Sequence, residues 1–275
     1  MALLRSLWHD RSTVSNTLDL DRLQSLLDTN YVGRSVTYRD SVDTTMSVAA
    51  EEAGAGAPEG AVVVAEEQTA GRGRMGRSWV SPPGVNLYFT LILRPTLEQL
   101  RYLAVIAPLA VSLAIEETTG LMPRIKWPND VLIGDRKVCG VLVETNLTGD
   151  EVQNALIGIG INVNLNVMLH EEIREIATSL RTESGEEVAR EEVLAATLNH
   201  IEELYKRLRS GEAVSVAWKQ RLETLGKHVK VTIAGGESQE GVAVDADSDG
   251  SLIIRRDDGS HVRVEAGEVT LRDEA

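Results

Sequence analysis

Val131-Leu132-Ile133-Gly134-Asp135-Arg136-Lys137-Val138-Cys139-Gly140-Val141-Leu142-Val143 decides the fold class. Two apolar runs rich in β-branched residues, Val131–Ile133 and Val138–Val143, flank a Gly-Asp pair, which is the pattern of a β-hairpin on a two-residue turn. A hairpin joins antiparallel neighbours, so the sheet that contains it is not the doubly wound parallel kind. Upstream, Ala61-Val62-Val63-Val64-Ala65 is short, β-branched and wholly apolar, as a strand buried on both faces must be. Asn86–Leu93 and Ala155–Val163 read as further strands.

Helical spacing of apolar residues marks Leu18–Leu27, a segment after Thr45 that ends at Gly54-Ala55-Gly56-Ala57-Pro58, and one long helix from Leu97 to Glu117 stopped by Gly120. Residues 189–209 form the clearest amphipathic helix, with the glutamates around Glu202 on its solvated face. The fold class is therefore α+β, a mixed or largely antiparallel sheet with helices. After Trp218 the texture changes to short alternating strands cut by Gly235-Gly236, Asp249-Gly250 and Asp258-Gly259, a small β-barrel of roughly 50 residues. The expected domains are residues 1–222 and 223–275.

With 43% hydrophobic and 25% charged residues the chain has the composition of a soluble globular protein rather than a disordered one. A net charge of −14 repels phosphate backbones and anionic membranes, so no nucleic acid and no membrane are expected as partners. One cysteine, Cys139, cannot form an internal disulfide and reads as core rather than nucleophile. No signal peptide or membrane span is legible, and a cytoplasmic location is expected. The histidines show no metal-ligand spacing. Whether two copies associate is left open.

Against this acidic background Gly71-Arg72-Gly73-Arg74-Met75-Gly76-Arg77 sets three arginines among three glycines, directly after a buried strand. Glycines let a backbone approach a ligand, and guanidinium groups match phosphate and carboxylate, so the loop reads as a site for a multiply anionic ligand rather than as a solvated basic loop. Its match to G-x-G-x-x-G does not imply a dinucleotide fold. Ser81-Pro82-Pro83-Gly84 follows, where that fold needs a helix. Kinase and Walker A patterns are likewise lacking. A second cluster, Lys126-Trp127-Pro128-Asn129-Asp130 with Arg136-Lys137, combines cations, an aromatic, an amide and a carboxylate. Lysine there can neutralise charge on a phosphate, and Asp130 can bind Mg²⁺ or accept hydrogen bonds; packing by Trp127 and a turn role for Asp130 fit the residues equally well.

Gly71–Trp79, Lys126–Asp130 with Asp135-Arg136-Lys137, and Gly140-Val141-Leu142-Val143-Glu144 together resemble the biotin–protein ligases, in order and spacing. The likeness runs from about Tyr38 through Gly158-Ile159-Gly160-Ile161-Asn162-Val163 and Ala177-Thr178-Ser179-Leu180, and weakly into Gly267–Arg272. It implies a class II synthetase-like catalytic domain with an SH3-like C-terminal barrel, and an ATP- and Mg²⁺-dependent transfer of biotin, through biotinyl-5′-AMP, to a lysine of a biotin carboxyl carrier domain. Thr44, Thr45 and Met46 stand where the family has Ser-Thr-Asn against the biotin ring, so Met46 departs by losing an amide. Gln68 corresponds to the ring-facing glutamine, Arg72, Gly73 and Arg74 to the closing loop, and Lys137 to the lysine near the biotin carboxylate and α-phosphate. Lys137, Arg72 and Arg74 are the expected catalytic cations. Trp79, Lys126, Asn129, Asp130, Asn162 and Arg272 are placed by the resemblance at the ATP or adenylate side, and the metal ligands are left unassigned. A lipoate or octanoate ligase shares the fold and is the nearest rival; a biotin-binding regulator is the other. A repressor's helix-turn-helix needs roughly 60 residues, and only about 35 precede Val36 here.

Overall fold

The structure is a computed structural model that describes residues 17–233 and 236–271. A seven-stranded sheet runs in the order β1 (Val36–Val42), β2 (Val62–Gln68), β3 (Leu87–Leu93), β7 (Glu151–Ile161), β6 (Arg136–Thr148), β5 (Asp130–Ile133) and β4 (Arg124–Lys126). Only β1 and β2 pair in parallel; every other pair is antiparallel. The sheet is thus mixed, and the Gly134-Asp135 turn links β5 to β6 as the sequence leads one to expect.

Side-chain alternation distributes the strands between two apolar layers. Val62 and Val64 pack with Phe89, Leu91 and Ile106 on one face, while Val63 joins Met46, Ala49 and Ala53 on the other. The first face carries α1 (Leu20–Leu26), α4 (Leu103–Thr119) and α6 (Arg190–Arg209); the second carries α2 (Thr45–Gly54). Two-sided burial explains why β2 is apolar at consecutive positions. The expected helix Leu97–Glu117 is divided into α3 (Leu97–Leu100) and α4. A Thr96–Gln99 capping box starts α3, then Tyr102 N donates to Gln99 O at 3.1 Å and both Val105 and Ile106 return to Tyr102 O, restarting the helix. Gly120 ends α4 in the left-handed region at φ 70°, a conformation that costs a side chain but not glycine.

After α5 (Leu180–Ser184), α6 and α7 (Ser215–Arg221), a five-stranded antiparallel sheet follows in the order β11 (His261–Val264), β10 (Leu252–Arg255), β9 (Ser238–Ala246), β8 (His228–Thr232) and β12 (Glu268–Leu271). Its Asp249-Gly250 turn docks on the larger unit, where Gly250 O accepts a 2.7 Å hydrogen bond from Trp127 Nε1. The Gly235-Gly236 turn lies only partly within the described residues.

Glu202 corrects the expectation of a solvated face, since it is 1% exposed. Its carboxylate accepts from the backbone N–H groups of Asn30, Tyr31 and Val32 at 2.7, 3.0 and 2.9 Å and pairs with Lys206. Burial pushes the carboxyl up, but Lys206 and the three N–H donors outweigh it and hold the group at about 2, below its ordinary 4.5. The depressed value means that the ion's contribution to stability is complete above about 4.5 and fades as pH falls towards about 2. Glu202→Gln is therefore expected to destabilise the protein by about 2–3 kcal/mol at neutral pH. Urea unfolding at pH 7 and pH 3 checks this, with the gap between variant and wild type narrower at pH 3.

Candidate active site

The segment that leaves β2 after Gln68 doubles back as a small hairpin. Gly73 N donates to Arg77 O at 2.7 Å and Trp79 N to Gly71 O at 2.9 Å, and Arg72 bridges to Ser78. Met75 at φ 57° and Gly76 at φ 72° make the tight reversal, and Met75 is exposed at its tip. This hairpin covers β6 and β7 where glycines stand at three of four facing positions, Leu142 being the fourth. Gly140 and Gly160 are cross-strand partners, and Gly158 lies two residues along the same face. A Cβ at Gly160 would lie 2.5 Å from Trp79 Nε1, and one at Gly140 3.1 Å from Trp79 Cζ3, so the indole rests directly on the glycine floor. Between floor and hairpin lies a cleft of about 970 Å³.

Cations gather at the Gly140–Gly160 end. Lys137 Nζ is 2.6 Å from Asp130 Oδ1 and 5.2 Å from the Trp79 ring centroid. Arg74 donates to Asn129 Oδ1 and to Gly267 O, both at 2.9 Å. Burial lowers the Arg74 guanidinium from its usual range, while Asp130 and Glu268 act in the opposite direction. Arg77 reaches Glu268 at 2.6 Å, whereas Arg72 turns away from this end to Glu144, which is 3.8 Å away and lies past Gly158 on the sheet, so the expected catalytic cation Arg72 does not join Arg74 and Lys137. The hairpin is thus tied both to the large sheet and to the C-terminal one.

Hydroxyls and amides gather at the Gly158 end, where α2 begins. Thr44 caps the helix by accepting from Met46 N, and Thr45 donates to Gln68 Oε1 through both its N–H (2.9 Å) and its hydroxyl (3.2 Å). Met46 is 4% exposed with its Sδ against Gly158, where an added Cβ would approach to 2.7 Å. The cleft thus brings together Thr44, Thr45, Met46, Gln68, Arg72, Gly73, Arg74, Trp79, Lys126, Asn129, Asp130 and Lys137. Asn162 borders it too, but its amide is engaged with Thr178 O and Asn86. Arg272 lies outside the described residues.

Residues 38–162 match the model of the biotin/lipoate A/B protein ligase family, and residues 224–272 match the biotin protein ligase C terminal domain. A bifunctional ligase/repressor BirA of Bacillus subtilis is 36% identical over 85% of this chain and 73% of its own length. The chain belongs to the biotin/lipoate A/B protein ligase family. A biotin–[acetyl-CoA-carboxylase] ligase of Mycobacterium tuberculosis is 30% identical over 91% of this chain and 98% of the relative. A biotin protein ligase from Aquifex aeolicus, solved in complex with biotin and ATP, superposes with a TM-score of 0.74 at 33% identity, covering 88% of this chain and all of that one.

Several cleft-lining residues of this family member went unread as site residues. Gly140, Gly158 and Gly160 form the floor, and their period-two spacing on paired strands was the available signal. Lys227, His228 and Glu268 enter from the C-terminal sheet, and Ile173–Ala177 from the loop whose Ile176 O accepts from Lys137 N. Cys139, two residues after Lys137, is fully buried, and burial pushes its thiol well above its usual range, in keeping with a core residue. Among the described residues no group of three His, Cys, Asp or Glu could hold a metal ion. Asp130, paired with Lys137, and Glu268, paired with Arg77, are carboxylates at the cationic end, and such a sparse set suits a Mg²⁺ that arrives on a polyphosphate with few protein ligands.

Met46 stands among Ala49, Ala53, Val63 and Leu156. An amide there would lose water without gaining partners from these neighbours, a cost of about 1–3 kcal/mol. Met46→Asn is therefore expected to lower the thermal midpoint, and any gain in ring affinity has to exceed that loss. Calorimetry with and without biotin separates the two.

Proposed function

We propose that this chain is a biotin–protein ligase that makes biotinyl-5′-AMP from biotin and Mg-ATP and passes the biotinyl group to a lysine. The observation that carries the reading is the division of one glycine-floored cleft into a hydrogen-bonding end, at Thr45 and Gln68, and a cationic end, at Arg74 and Lys137. A bicyclic ureido ring needs the first and the junction of carboxylate and phosphate needs the second. Carboxylate oxygen attacks the α-phosphorus and pyrophosphate leaves; the neutral lysine nitrogen then attacks the acyl carbon, AMP leaves, and the amide nitrogen loses its proton to solvent. Both anions of the first step meet fixed cations in a partly closed site, where electrostatic stabilisation is largest. A hairpin that covers the cleft also shields the mixed anhydride from water.

Lipoate transfer is the second reading, because the family includes it. A dithiolane ring makes no use of the Thr45–Gln68 pair, and this favours biotin. The names of the relatives point to the carrier domain of a carboxylase as the acceptor. Residues 1–222 would be the catalytic unit and 223–275 the unit that closes its cationic end through Gly267 and Glu268. No helix among the described residues is long and apolar enough to cross a membrane, and a reaction that consumes ATP is in keeping with a cytoplasmic location. ATP–pyrophosphate exchange with biotin, with lipoate and with neither is the test. Exchange that does not depend on biotin sinks the reading, and exchange driven by lipoate alone transfers it to the rival.

A further inference from the structure

A chain of hydrogen bonds runs beneath the lid from the hydrogen-bonding end of the cleft. Thr90 Oγ1, fully buried on β3, donates to Thr45 Oγ1 at 2.8 Å, and Thr45 donates on to Gln68 Oε1. Gln68 Nε2 donates to Ser81 Oγ at 3.1 Å, and Ser81 donates to Trp79 O at 3.0 Å. Every hydroxyl gives its proton in one direction, so the chain has a polarity. Because Gln68 Oε1 already accepts twice from Thr45, the amide cannot turn over without placing donors against donors. Its nitrogen faces Ser81 with a second hydrogen left for a ligand.

The lid starts on this chain. A Cβ at Gly71 would stand 2.5 Å from Trp79 O, 2.8 Å from Ser81 Oγ and 3.1 Å from Gln68 Nε2, so no other residue fits there without moving all three. Ser81 is 7% exposed, and its side chain has no other hydrogen bond among those described.

We propose that Ser81 is a positioning residue that transmits occupancy of the ring end of the cleft, sensed by Gln68, to the lid hinge at Gly71 and Trp79. The inference rests on the ligase reading. A ring that takes the free Gln68 N–H fixes the amide, the amide fixes Ser81, and Ser81 holds the Trp79 carbonyl beneath Gly71. Ring binding then keeps the lid shut over the intermediate.

Ser81→Ala removes both bonds and is expected to raise the biotin KM of adenylation by about 3–10-fold and to speed release of biotinyl-5′-AMP by a similar factor. The adenylation kcat at saturating biotin should stay within about twofold, because Ser81 touches no reacting group. In a Gln68→Leu background Ser81→Ala should change KM by less than about twofold, since the route through Gln68 is already cut. It should still speed release, through the lost bond to Trp79. Ser81→Cys, similar in size but a poor hydrogen-bond partner, should reproduce the Ser81→Ala pattern and separates hydrogen bonding from packing. Fully additive KM effects in the double variant, or wild-type release by both Ser81 variants, overturns the proposal. Lack of biotin-dependent exchange in the wild type defeats the ligase reading instead, whereas normal wild-type exchange with unaltered Ser81 variants defeats this inference alone.

Discussion

Lys137→Ala is expected to leave the fold intact and to slow adenylate formation by about 10²–10³. Lys137 lies on β6 beside the turn, its ammonium 2.6 Å from Asp130 and over the Trp79 ring, and its side chain is 30% exposed. A half-buried surface pair of this kind contributes little to stability, at most about 1 kcal/mol. A cation fixed at the junction of carboxylate and phosphate, by contrast, neutralises charge that grows in the transition state and needs no reorganisation to do so. The loss should fall on kcat, because the ring contacts of the ground state sit at the other end of the cleft. Single-turnover formation of biotinyl-5′-AMP beside a circular dichroism melt is the measurement. Near-normal turnover in a folded variant would make Lys137 an ordinary hairpin lysine held by Asp130.

Whatever depended on neighbours in the chain was legible. The Gly134-Asp135 turn, the two-sided burial of Val62–Ala65 and the Gly120 stop each follow from a few consecutive residues, and each stands where local chemistry puts it. The two charged motifs were likewise readable, because arginines spaced by glycines in an acidic chain have few structural uses. What escaped was set by distant partners. Glu202 looked like one more glutamate on a polar helix face until the loop at Asn30–Val32, some 170 residues away in sequence, supplied three N–H donors. The glycine floor escaped because Gly140 acquires meaning only when the register pairs it with Gly160. The same holds for the break between α3 and α4, which follows from where the Tyr102 carbonyl sends its bonds. Met46 was readable as a departure from the family pattern, but its apolar surroundings were not.

Arg74→Gly is expected to release biotinyl-5′-AMP about one to two orders of magnitude faster while adenylate is still made. Arg74 is the point at which the lid is tied to both halves of the protein, through Asn129 of the large unit and Gly267 of the C-terminal one. Glycine removes both ties and frees the backbone between Gly73 and Met75, so the reversal held by Met75 at φ 57° loses its anchor. On the proposed function it also removes a cation that would face the adenylate phosphate, and a charge-assisted hydrogen bond there contributes about 1.5–3 kcal/mol, where each 1.4 is a factor of ten. Chemistry is affected less than retention, because Lys137 remains at the cationic end. Free adenylate acylates any accessible neutral lysine. With biotin and ATP the variant should therefore label a bystander such as serum albumin that the wild type leaves unlabelled, and hydroxylamine should intercept the label in proportion to its concentration. Raised salt should increase wild-type leakage in the same direction, since Arg72–Glu144 and Arg77–Glu268, the other ties of the lid, are exposed pairs open to screening. Bystander labelling no greater than wild type, with adenylate formation intact, would show that the lid retains the intermediate without Arg74.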